Sequence, residues 1–190
     1  KYLLHGHSHF AFVGWVSLSL MALMVNYLTK SDANINFKKY KWILIANTIT
    51  AYGMLFAFIV QGYALFSITF STLSIFVSYV FIYNYWKDLK QRKDSFSINI
   101  WFKTALIIWA VSSLGAFSLA YLMANHNINQ DLYFGAIYFF LHFQYNGWFL
   151  FVCFGLLFSF LEQKYSLATL LFNKRIYWLL AITVVPSYFL

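Results

Sequence analysis

Five histidines, His5, His7, His9, His126 and His142, offer this 190-residue chain its most versatile chemistry. Neutral imidazole is the commonest protein ligand for haem iron, copper and zinc, and it carries protons near neutral pH. Residues four apart share a helix face, so His5 and His9 project together while His7 points elsewhere. His9 opens the run His9-Phe10-Ala11-Phe12-Val13-Gly14-Trp15, and His142 opens His142-Phe143-Gln144-Tyr145-Asn146-Gly147-Trp148. His, Phe, Gly and Trp coincide, Phe12 answers Tyr145, and the offset is 142 − 9 = 133 residues. Gly14 and Gly147, each five residues after its histidine, leave space for a flat macrocycle or for a neighbouring helix, and the second use is the more common at helix crossings. Tyr145 and Asn146, at +3 and +4 from His142, share its face on an α-helix and can hydrogen-bond a ligand or one another. Further polar residues are Ser67, Thr69, Ser71, Thr72, Ser74 and Ser78 in one row and Asn47, Thr48 and Thr50 in another; such rows serve more often as helix–helix contacts than as proton paths. His126, between Asn125 and Asn127, reads as a solvated loop residue.

The elements that must position these groups are membrane helices. The chain is 62% hydrophobic and 24% aromatic with 9% charged residues, too thin a polar coat for a water-soluble domain of this length. Its apolar runs predict an all-α, polytopic transmembrane bundle forming a single domain over 1–190, with a four-helix pseudo-repeat. The spans are placed at about 9–28, 42–60, 64–86, 102–123, 133–161 and 176–190, with Gln61-Gly62-Tyr63 as the break in the uncharged stretch from Trp42 to Trp86. A membrane barrel would instead show short alternating strands. The net charge of +8 sits in alternate connections: Lys30 to Lys41, Lys87 to Lys103, and Lys164 to Arg175. The connections at 61–63 and 125–131 contain no Lys or Arg. This is a positive-inside pattern, which implies a multi-pass protein, of a bacterial inner membrane, with cytoplasmic basic loops and all five histidines in the outer half. Charge confined to loops argues against a nucleic-acid partner. Trp42, Trp86, Trp101 and Trp178 read as interfacial belts. The lone Cys153 offers no disulfide framework. No signal-peptide cleavage pattern follows Lys1, and the absence of an initiator Met and of a polar tail after Pro186 suggests a piece of a longer protein.

A His-bearing helix recurring four helices apart, with His7-Ser8-His9 followed by Gly14-Trp15 and His142 followed by Gly147-Trp148, resembles the haem–copper oxidase superfamily catalytic subunit, including its nitric-oxide-reductase-like branches. That family is built from arcs of four helices, and its second, sixth and tenth helices carry ligand histidines in the outer half. The resemblance implies that the six spans correspond to the family's second to seventh helices. It makes His9 or His7 the counterpart of a haem ligand, with Gly14 and Gly147 as cofactor contacts. It makes His142 the counterpart of a copper or other non-haem metal ligand, to which His5 and His9 are added as metal candidates, and it makes Tyr145 the catalytic candidate. The chain departs from the oxidase pattern in having Phe143-Gln144-Tyr145-Asn146 where Pro-Glu-Val-Tyr is expected, and it has no His-His pair.

The function implied is an integral membrane haem- or metal-binding protein of electron transfer or small-gas (oxygen or nitric oxide) chemistry, an oxidoreductase of haem–copper type in a respiratory chain. Its partners would be the lipid bilayer, other membrane subunits and an electron-donor protein on the outer side. On this reading a haem absorbance falls when His9 or His142 becomes Ala. The alternative is a non-redox transporter, receptor or accessory subunit. A di-metal hydroxylase needs further histidine boxes, and a retinal protein needs a lysine within the core of a span; neither is present.

Overall fold

The computed structural model describes residues 2–31, 35–91, 96–125, 129–165 and 167–189, and all of their regular structure is helical. Helix α1 covers 2–31, as an α-helix at Tyr2–Phe10, a π-helical segment at Ala11–Ser17 and a second α-helix at Leu18–Ser31. It is followed by α2 (Phe37–Gln61), α3 (Leu65–Gln91) and α4 (Phe96–Ala124). Helix α5 covers 130–164 and repeats the pattern of α1: Gln130–His142, a π segment at Phe143–Phe149, then Leu150–Lys164. Helix α6 is Leu167–Thr183, trailed by a 3-10 turn at Pro186–Phe189. His126 lies outside the described residues.

Five of these helices are long and apolar enough to cross a membrane: Tyr2–Lys30, Phe37–Gln61, Leu65–Lys90, Ile98–Ala124 and Gln130–Glu162. They present Ile49, Phe56, Val60, Phe76 and Leu114 outward, surface that suits hydrocarbon rather than water. Apart from the start of α3 at Leu65, these five helices outrun the sequence-placed spans at both ends, because the flanking polar residues still favour helix where backbone groups must be paired. The first helix therefore includes His5 and His7 as well as His9. The sixth element differs most from the expected span at 176–190: α6 begins earlier and ends at Thr183, just ahead of Pro186, which cannot continue a helix hydrogen bond. Lys174 and Arg175 lie at its middle, and it is not among the five candidate spans.

The backbone contacts divide the chain into two compact units, Lys1–Gln91 and Arg92–Leu190. In the first, α1 and α3 both pack on α2. The turn between α2 and α3 falls where Gln61-Gly62-Tyr63 predicts it. Gly62 has φ +66°, a left-handed conformation that costs glycine little, and its N–H donates to Phe58 O at 2.9 Å. Ser67 closes the turn, its Oγ donating to Gly62 O at 2.6 Å and accepting from Ala64 N at 2.8 Å. In the second unit α4 and α5 form the main antiparallel pair. Asn129 caps α5, its Oδ1 accepting from Asp131 N at 3.0 Å. Helix α6 is tied to α4 by Trp101 Nε1 donating to Asn173 Oδ1 at 2.5 Å and by the Thr104–Tyr177 hydroxyl pair at 2.8 Å.

Candidate functional site: two histidines on π-wound helices

Both copies of the repeated motif leave α-helical winding within two residues of the motif histidine. The π segment begins two residues after His9 and one residue after His142, and in each case it spans seven residues containing the motif Gly and Trp. Such segments occur mostly as local bulges and are frequent at functional sites. Winding an extra residue into a turn leaves a carbonyl without its usual helix donor. In α1 that need is met from the neighbouring helix: the buried Asn47 donates from Nδ2 to Val13 O at 3.0 Å.

In the first unit His5 and His9 do share a face, and both meet the turn that follows α2. The His9 ring lies flat on Phe58 with centroids 4.3 Å apart and planes 6° apart. Its Nε2 is 3.3 Å from the Tyr63 hydroxyl, a long hydrogen bond. His5 approaches the Tyr63 ring edge-on at 5.1 Å. Burial pushes the Tyr63 phenol up from its ordinary value, so it remains an O–H donor across the physiological range. His7 is exposed, in keeping with its place off the shared face.

In the second unit His142 is held at both nitrogens. Nε2 pairs with Val184 O at 2.9 Å and Nδ1 with Asn146 Nδ2 at 3.2 Å. Only the tautomer with its proton on Nε2 satisfies both, donating to the carbonyl and accepting from the amide. The ring is 5% exposed and caged by Tyr138, Phe143 and Tyr188 at 5.1–5.7 Å. Of the two polar residues expected beside it, Asn146 arrives. Tyr145 is 53% exposed and sets its ring edge-on to Phe149, as the altered winding turns +3 and +4 apart.

The spaces over the motif glycines are filled by side chains. A Cβ on Gly14 would lie 2.7 Å from the Phe10 ring and 3.0 Å from Ala51 Cβ, and one on Gly147 would overlap Ile108. The motif tryptophans diverge: Trp15 is 69% exposed, whereas Trp148 is fully buried and stacks on Trp109 at 4.0 Å. Each hydroxyl of the α3 polar row donates to a carbonyl of its own turn or helix, as Ser71 does to Ser67 O at 2.8 Å and Ser78 to Ile75 O at 2.7 Å. Among the described residues no group of three or more His, Cys, Asp or Glu comes together.

One cluster escaped the sequence reading. Asp88, 8% exposed, accepts from Lys39 Nζ at 2.7 and 2.8 Å and from the buried Tyr40 hydroxyl at 2.7 Å. The signal lay in the sequence: Asp88 is an acid between Lys87 and Lys90, at the end of a long apolar helix, where a carboxylate needs partners.

Fold and sites together define a polytopic, all-α membrane protein carrying an imidazole beside each of two π-wound segments. No protein-family model, curated protein or solved structure matches the chain.

Proposed function

We propose that this chain is a divergent membrane protein of haem–copper oxidase type, serving electron transfer or small-gas chemistry, in which His9 would hold a haem. The observation that carries the proposal is the contrast between the two motif histidines. His9 Nε2 is engaged only by a 3.3 Å contact with Tyr63, which a stronger ligand displaces at little cost, since a neutral hydrogen bond contributes about 1 kcal/mol even at good geometry. His142 has no such freedom, because ligation would break the bond to Val184 or the bond to Asn146. His142 is therefore assigned a structural role. The fit to haem is at the imidazole; Gly14 and Gly147 contribute helix contacts rather than a slot. Haem bound at His9 supplies a one-electron centre. Phe58 fixes the ring plane of His9 from one side. The positive-inside pattern supports a reading in which this end of α1 lies on the outer side of a bacterial inner membrane, where an electron-donor protein would meet it.

A second reading, a non-redox membrane subunit, draws on the saturated His142 and on the filled spaces over both glycines. The absorption spectrum and metal content of the full-length protein purified from native membranes separate the two. The haem reading expects a Soret band that is lost in His9→Ala and kept in His142→Ala. The non-redox reading expects a colourless, metal-free protein.

A further inference from the structure

The second unit contains a groove that the histidine chemistry does not use. It is about 740 Å³ in volume and lies open along α4 and α5, from Leu122, Tyr121 and Asp131 at the end beside the 125–130 connection, its mouth, to Leu114, Phe139 and Tyr188 at the other. Along α5 this is 139 − 131 = 8 residues, about 12 Å at 1.5 Å per residue. Its volume lies within the range of about 300–1,000 Å³ usual for small-molecule sites. The lining is mainly apolar; its one charged group, Asp131, and the Tyr121 phenol lie at the mouth, with Ser118 and Tyr188 further along. That distribution matches an amphiphile entering tail first from the membrane.

The groove exists because the helices touch at one glycine and part at another. A Cβ on Gly115 would lie 2.7 Å from Ala136 O, so the backbones meet there. Gly135, in the groove wall, has nothing within 4 Å of the position its Cβ would take, so the wall there is open.

The headgroup is indicated by charge. Asp131 is an exposed carboxylate at the mouth, and among the described residues no Lys, Arg or His side chain pairs with it. The connection preceding it, 125–130, contains no Lys or Arg. Tyr121, 70% exposed, adds a phenol at the same end. A carboxylate selects an ammonium donor, and a phenol can donate to a phosphate oxygen. We infer that this groove binds a phospholipid with a primary-ammonium headgroup, of the phosphatidylethanolamine class, with the ammonium at Asp131, the phosphate at Tyr121 and an acyl chain along Gly135.

The test is native mass spectrometry of the detergent-solubilised full chain, titrated with phosphatidylethanolamine, phosphatidylglycerol and phosphatidylcholine of identical acyl chains. The expected result is one lipid site preferring phosphatidylethanolamine by about tenfold, the difference made by one charge-assisted hydrogen bond. Asp131→Asn should reduce that preference to the phosphatidylglycerol level. Gly135→Leu should fill the groove and abolish the site for every lipid, while the unfolding temperature holds because the added side chain enters open space. Equal binding of the three lipids, an unchanged preference in Asp131→Asn, or retention of the site in Gly135→Leu would each overturn the inference.

Discussion

His142 is a polar ring inside an apolar span, and such a group is tolerated only when its nitrogens are partnered. Here the partners come from two directions: Asn146 one turn along the same helix, and Val184 from the segment ahead of the closing 3-10 turn. The ring thus fastens the end of the described chain to α5, and Tyr188 adds a stacked contact with Tyr138 at 5.4 Å. His142→Ala should lower stability by about 1–3 kcal/mol, because it leaves the Val184 carbonyl with only the 3.3 Å contact from the Ser187 hydroxyl and empties the aromatic cage around the ring. Thermal unfolding in detergent reads this directly, and an unchanged midpoint would remove His142 from its fastening role. Asp88→Ala should cost a similar amount, about 2–3 kcal/mol, since Lys39 and the buried Tyr40 hydroxyl both lose their acceptor. Asp88→Asn, which keeps an acceptor oxygen for Tyr40, should be milder in the same assay.

At the scale of helices, the two π segments are the main departure from regular winding, and both fall on the motif that repeats in the sequence. The repeat was legible from residue types alone; the winding was not, because seven residues of π-helix have no composition of their own. What fixes it is tertiary: Asn47 takes up the Val13 carbonyl, and Ile108 occupies the space over Gly147. Two consequences are measurable. Asn47→Leu should destabilise the protein by about 1–3 kcal/mol by orphaning that carbonyl. Gly147→Ala should cost about 1–3 kcal/mol through overpacking, and Ile108→Ala in the same chain should recover most of the loss. If Ile108→Ala adds to the damage instead, α4 and α5 do not meet at Gly147 as described.

At the scale of the molecule, apolar runs and the Gly62 turn disclosed the membrane class and the order of helices, because both depend on local composition. Helix ends were legible only to within several residues, since α1, α2 and α5 continue into polar flanks. The surroundings of the histidines were mostly hidden. Tyr63 lies 54 residues from His9, and Val184 lies 42 from His142, so no periodicity could join them. The charge pattern also predicts topology. In a Cys153→Ser background, single cysteines at Asn36 and Lys90 should react with an impermeant reagent from the cytoplasmic side, and those at Gln61 and Asn125 from the outer side. Labelling of both sets from one side would refute the alternation.

The central claim, that the weakly held His9 and not the saturated His142 serves as the haem ligand, is tested most directly by the visible spectrum of the purified protein and its two alanine variants. The account predicts a Soret band in the native protein, its loss in His9→Ala and its persistence in His142→Ala. A colourless native protein, or a band that survives in His9→Ala and disappears in His142→Ala, would contradict it.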